Sequence, residues 1–167
     1  SYVVTMKDGK VLSYNKKLIS KATNNNKNKT KKTTVIVNGI RYKIVGSKVK
    51  AEKDTNKKKS SFTIQKSVKI NGKTYKVTEI NKNLFKNNKK LKKITIKAAS
   101  VNIKAGTFKN CKKLTSVKLQ KIKTLKIAKN AFKGCKKLKF KVSGNKTTRQ
   151  KFKKVIKKAK VSKFSIS

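Results

Sequence analysis

Three stretches of the chain carry apolar residues at matching positions, and an internal period of this kind constrains a fold more tightly than local propensity does. Ile80, Phe85, Asn88, Leu91, Ile94 and Ile96 are matched in spacing by Ile103, Phe108, Cys111, Leu114, Val117 and Leu119. A third set, Ile127, Phe132, Cys135 and Leu138, starts alike and closes one residue early on Phe140 and Val142. The offset is 23 residues for the first step and 24 for the second, because the link from Leu119 to Leu125 is one residue longer than that from Ile96 to Val101. Alternation on both sides of each Phe predicts two short strands joined by a turn-like or helical piece.

Period and spacing resemble the leucine-rich repeat of BspA-like bacterial surface proteins, whose units look like I-x-x-x-A-F-x-x-C-x-x-L-x-x-I-x-L. The segment IAKNAFKGCKKL, from Ile127 to Leu138, is nearest to that pattern, and the resemblance runs from about Glu79 to Val142. It implies a secreted or cell-surface module used in adhesion and interaction. The expected fold is a β-rich α/β solenoid, a short stack of about three units of 23–24 residues over 80–142.

The flanks read as accessories to that stack. Val35 to Val45 and Val68 to Thr78 both alternate around Asn-Gly, a dipeptide suited to the positive φ angles of a two-residue hairpin turn. Residues 35–79 are therefore expected to form a β-hairpin lead-in or N-terminal cap, similar to the segment that often precedes such repeats. Residues 1–34 read as a hairpin from Tyr2 to Tyr14 around Asp8-Gly9, then a polar linker from Ser20 to Thr34. Terminal units of a stack expose apolar faces and need covering. Residues 143–167 supply a C-terminal cap, with Phe152, Val155, Ile156 and Ala159 on one helical face, Thr147 or Thr148 as its N-cap, and a last strand through Val161, Phe164 and Ile166. The same stretch also reads as a basic helix lying on a membrane surface.

Two cysteines fall in the column that Asn88 begins, so a position that accepts Asn88, Cys111 or Cys135 selects for a small polar group. The expectation is a structural ladder whose side chains satisfy backbone groups inside the turns. Two alternatives stay open. Equivalent Cα atoms on neighbouring units lie about 5 Å apart, within disulfide range, and lysines nearby would favour a reactive thiolate that burial would oppose.

Catalytic chemistry finds little support. The chain has no histidine, which removes the usual general base and zinc ligand. Glu52 and Asp54 are the one close pair of acids; at i and i+2 they could share a strand face, and the lysines around them predict a solvated charge pair. No glycine spacing matches a phosphate-binding loop. We expect a protein that is not an enzyme and holds no cofactor or metal.

Charge dominates what remains. The chain of 167 residues has 51 Lys and Arg against 4 Asp and Glu, a formal net charge of +47. Such a surface attracts polyanions, among them acidic polysaccharide, teichoic acid or other cell-wall polymer, extracellular DNA and anionic membrane. Arg41 and Arg149 are the only arginines, so the bidentate fork used for base reading is scarce. Within the repeats, Lys86, Lys109 and Lys133 follow each Phe, while Lys89-Lys90, Lys112-Lys113 and Lys136-Lys137 follow the ladder residue. Stacking converts them into columns that are the candidate polyanion-binding site. The alternatives are a non-binding spacer within a larger surface protein, and a non-specific nucleic-acid-binding protein. Self-repulsion predicts a monomer. No apolar run approaches the about 18 residues of a membrane span, no segment resembles a signal peptide, and a start at Ser1 suggests a fragment of a longer precursor.

Overall fold

The computed structural model describes residues 5–7, 10–13 and 31–167. The chain divides into two units, Ser1–Lys31 and Lys32–Ser167. In the first, β1 (Thr5–Lys7) and β2 (Lys10–Ser13) pair antiparallel. The Asp8-Gly9 turn expected between them, and the linker up to Thr30, lie outside the described residues.

The second unit opens with β3 (Thr34–Val37) and β4 (Ile40–Val45), which pair antiparallel across Asn38-Gly39. Both turn residues have positive φ, 50° and 87°, the requirement that Asn-Gly meets. The second Asn-Gly pair does the same at 50° and 77° between β7 (Ser67–Ile70) and β8 (Lys73–Ile80). Between the hairpins run β5 (Lys48–Asp54) and β6 (Ser61–Ile64). After β8 come β9 (Lys93–Ile96), β10 (Ser100–Ile103), β11 (Ser116–Leu119), β12 (Thr124–Ile127) and β13 (Leu138–Val142).

These strands build two sheets. One has the order β12-β10-β8-β5-β4-β3, with β7 beside β8; the other runs β14-β13-β11-β9-β6, where β14 is Phe164–Ile166. The pairings β5·β8, β8·β10 and β10·β12 are parallel, and so is every pairing of the second sheet. The chain therefore coils through one sheet, turns, crosses the other and returns. Register carries the sequence offsets directly into space: Phe62, Ile94, Val117, Phe140 and Ile166 form one inward row, and Ile64, Ile96, Leu119 and Val142 the next.

The stack begins earlier than the expected 80–142. The coil β5–β6 lies inside the stretch read as a lead-in, and it pairs parallel with the coil that follows. Its connecting loop, TNKKKS, has no Phe and so carries no trace of the period. Each later turn holds two residues in the left-handed region, at Asn83 and Asn87, Gly106 and Asn110, and Asn130 and Gly134. Asn and Gly are the residues that adopt this region at least cost.

Inside, the Phe rings form a continuous spine. Phe85 stacks on Phe108 at 5.4 Å and Phe108 on Phe132 at 4.8 Å between ring centres. Phe62 packs at one end, and edge-on contacts to Phe140 and Phe164 continue it at the other. Such pairs contribute about 0.5–1.5 kcal/mol each beyond their buried area. The β3–β4 hairpin closes the exposed side of β6. The fully buried Tyr42 hydroxyl accepts from Gln65 N at 3.0 Å and lies 3.5 Å from the Thr63 carbonyl, which occupies backbone groups at the sheet edge.

At the other end, α1 (Lys146–Lys158) buries Phe152 and Ile156, with Ala159 as its C-cap. Its apolar face is thus occupied by protein, against the membrane-surface reading. The N-cap is Asn145, not Thr147 or Thr148 as expected: the Asn145 amide oxygen accepts from Thr148 N at 2.9 Å and Thr148 Oγ1 at 3.0 Å. Asn145 has the extended backbone that a cap requires, and both threonines already lie within the helix.

Candidate functional site

The ladder position lies at the inner corner of each turn, where Asn88 is 4%, Cys111 0% and Cys135 9% exposed. The two residue types reach differently. Cys111 Sγ donates to the Phe85 carbonyl of the preceding turn at 3.0 Å, and Cys135 Sγ to the Phe108 carbonyl at 3.1 Å. Asn88 Oδ1 instead accepts from Lys90 N and Leu91 N, both at 2.9 Å, within its own turn. In the next turn Leu114 N finds the Cys111 backbone carbonyl at 3.0 Å, so the thiol is free to reach backward. Both thiols are unbonded. Burial pushes the Cys111 thiol up to about 12 and the Cys135 thiol up to about 11, so neither is a nucleophile at neutral pH.

Asn88 Nδ2 reaches backward as well, and its acceptor corrects the reading of the acidic pair. It donates to Asp54 Oδ2 at 3.1 Å, and Asp54 is 2% exposed. Asp54 also accepts from Asn56 N at 2.8 Å and lies 3.4 Å from Lys57 Nζ. Far from forming a solvated pair, Asp54 is the first rung of the ladder. Glu52 is not its partner: the register of β4 against β5 slips between Arg41 and Tyr42, and Glu52 meets Arg41 at 2.9 Å and Lys43 at 3.8 Å. Sequence reasoning missed Asp54 because lysines surround it in the chain. The available signal was its place, one turn ahead of Asn88 and at the end of an alternating strand.

The lysine columns occupy the turns between the first sheet and the second. Backbone bonds hold successive turns in step, with Asn87 N to the Lys109 carbonyl and Asn110 N to the Lys133 carbonyl, each at 2.8 Å. Lys86 and Lys133 are exposed and Lys109 is half-buried; Lys89, Lys90, Lys112, Lys113, Lys136 and Lys137 are all exposed. Among the described residues none of the nine has an acidic partner, because Glu52, Asp54 and Glu79 pair with Arg41, Lys43, Lys57 and Lys104. Coils are separated by about 4.8 Å, so these columns are uncompensated positive charge on a regular spacing. Among the described residues no group of three or more His, Cys, Asp or Glu could hold a metal ion, and no helix is long and apolar enough to cross a membrane.

Comparison with known proteins fits this geometry. The chain is similar to a leucine-rich repeat protein from Bacteroides capillosus, at 23% identity and a TM-score of 0.56 over 65% of this chain and 82% of that one. It is also similar to a leucine rich cell surface protein from Faecalibacterium prausnitzii, at 21% identity and a TM-score of 0.53 over 62% of this chain. The match spans 28% of the Faecalibacterium protein. At these identities the likeness concerns the fold. No curated protein matches the chain. The pattern of the BspA type leucine rich repeat region, by contrast, matches residues 55–166 in six copies, and the chain belongs to that family.

Proposed function

We propose that the protein is a cell-surface binding module that holds polyanions through the lysine columns on its turns. The observation that supports this reading most is that, among the described residues, none of those nine lysines is ion-paired with an acid. A surface evolved only for solubility mixes both signs, whereas here the three described acids pair with other cations. Membership of the BspA type repeat family, and the cell-surface description of the Faecalibacterium protein, agree with an extracellular setting and an adhesive role. Affinity would come from counterions released along the columns, and the reading therefore requires a steep loss of binding with salt.

Elution from heparin, compared with retardation of DNA over a salt series, tests it. Binding should weaken steeply with salt, and replacing Lys112, Lys113, Lys136 and Lys137 with Gln should flatten that dependence. Elution of the wild type at low salt from both would favour the spacer reading. A quadruple variant that binds unchanged would remove the columns from the site.

A further inference from the structure

The link that carries the extra residue, from Gln120 to Thr124, holds Lys121 at φ 53°. Among the described residues every other non-glycine residue with positive φ is an asparagine, apart from Lys160. Lys160 follows the C-cap of α1, where its N–H bonds the Lys157 carbonyl at 2.9 Å and a left-handed residue ends the helix. Lys121 has no helix to end. For a residue with a Cβ this conformation costs about 1–2 kcal/mol, and such strain tends to persist where a side chain is held for use.

Lys121 lines a groove of about 1030 Å³ on the flank opposite the columns, where the second sheet hands the chain back to the first. Four successive coils contribute to it. Lys48 and Lys66 flank the first coil, Lys76 and Lys97 belong to the second, Lys121 follows β11 of the third, and Lys123 enters the fourth. The lining contains no acid, no aromatic residue and no arginine. Thr78, Ser100, Gln120 and Ser143 lie among the lysines. A concave wall of one charge sign focuses potential more strongly than the exposed columns do.

We propose that this groove binds one extended strand of an acidic glycan, bearing carboxylate or sulfate groups, laid across the four coils. The inference rests on the reading that the protein binds polyanions, and adds a second site with a stated ligand. Six ammonium groups span three coil intervals, about 14 Å, which suits a single strand with spaced charges. With no ring to stack on, a single-stranded nucleic acid loses the contact that such sites normally give it. The neutral hydroxyl and amide groups separate a glycan from a polyphosphate: sugar hydroxyls both donate to and accept from Ser, Thr and Gln side chains, and a polyphosphate has no hydroxyls to offer.

The test is anisotropy titration with fluorescent oligogalacturonate, inorganic polyphosphate and a single-stranded oligothymidylate, on wild type and three variants whose far-UV circular dichroism matches that of wild type. Lys97→Gln/Lys121→Gln/Lys123→Gln should weaken oligogalacturonate about tenfold or more and flatten its log–log salt slope by about two. Lys151→Gln/Lys154→Gln/Lys158→Gln, which removes equal charge from the exposed face of α1, should weaken it by less than about threefold. Ser100→Ala/Gln120→Ala should weaken oligogalacturonate and leave polyphosphate and oligothymidylate unchanged. Equal losses from the two triple variants would overturn the groove while leaving polyanion binding intact. Equal response of polyphosphate and oligogalacturonate to the neutral pair would overturn the glycan assignment. Absence of binding by wild type to all three probes would overturn this inference together with the function proposed above.

Discussion

Replacing Asn88 with Ala should cost far more stability than replacing Cys111 with Ala, although the two residues occupy the same column. Asn88→Ala strips the buried Leu91 N–H of its acceptor and removes the Nδ2 donor to Asp54 Oδ2. A buried polar group left without a partner costs about 1–3 kcal/mol. Lys90 N, the third group affected, lies in a partly buried bond and can turn to water. The orphaned Leu91 N–H, together with the charge-assisted bond lost by Asp54 Oδ2, which keeps only the Lys57 ammonium at 3.4 Å, gives roughly 3–5 kcal/mol. Cys111→Ala removes a weaker donor, and the Phe85 carbonyl it served keeps the Asn88 N–H at 2.9 Å. The loss is then one sulfur-sized group's transfer and a small cavity, roughly 1–2 kcal/mol. Urea unfolding, with unchanged slopes, reads the difference. A cycle with Asp54→Ala should show the Asn88 and Asp54 effects falling short of additive by about 1–3 kcal/mol. Equal costs for Asn88→Ala and Cys111→Ala, or additive effects in the cycle, would refute the ladder as drawn.

Gly106→Ala should destabilise by about 2–3 kcal/mol, since φ is +67° and a Cβ would push the exposed Asn83 side chain aside; Gly46→Ala, at φ +60° but with nothing within 4 Å, should cost only about 1–2 kcal/mol. Thermal scans of the two variants check this, and equal shifts would refute the collision. Both thiols are raised by burial from an ordinary 9.0, so the stability they contribute is intact below about pH 9 and declines toward pH 11–12 as the unfolded thiols ionise first. The measurement is therefore the advantage of wild type over Cys111→Ser/Cys135→Ser, which should shrink between about pH 8 and about pH 10.5 and would contradict the burial argument if it stayed constant.

How much of this was legible depended on whether a feature repeats. The inward rows could be read because Ile94 and Val117, or Ile96 and Leu119, recur at one offset and then pair at that offset. Both Asn-Gly hairpins could be read because the dipeptide carries its own backbone requirement. The first coil was hidden because its loop lacks the Phe and its ladder residue is a carboxylate, so nothing in it matches the period. Asn145 was passed over because threonines two and three residues later are equally good caps out of context. The insertion before Leu125 could be counted in the sequence, but the left-handed Lys121 it creates could not. The groove was beyond reach for a further reason: its lysines come from strands and corner links of four coils and share no column.

The acids explain why the charge has consequences. Asp54 starts the ladder, Glu52 sits where the β4–β5 register slips, and Glu79 pairs with Lys104 across adjacent coils at 3.3 Å. Each of these three is committed to a fold contact, and none is ion-paired with a column lysine. Neighbouring ammonium groups about 5 Å apart repel by about 0.8 kcal/mol in bulk water, reduced where side chains splay. Even a fraction of that, summed over three columns, is appreciable against the roughly 5–15 kcal/mol of a folded domain. Raising sodium chloride from about 0.02 M to about 0.3 M shortens the screening length several-fold and should raise the melting temperature by roughly 5 °C or more. Replacing the six lysines Lys89, Lys90, Lys112, Lys113, Lys136 and Lys137 with Gln should remove much of that salt response. A melting temperature indifferent to salt in the wild type would mean that the columns do not repel, and the physical reason for them to gather a polyanion would go with it.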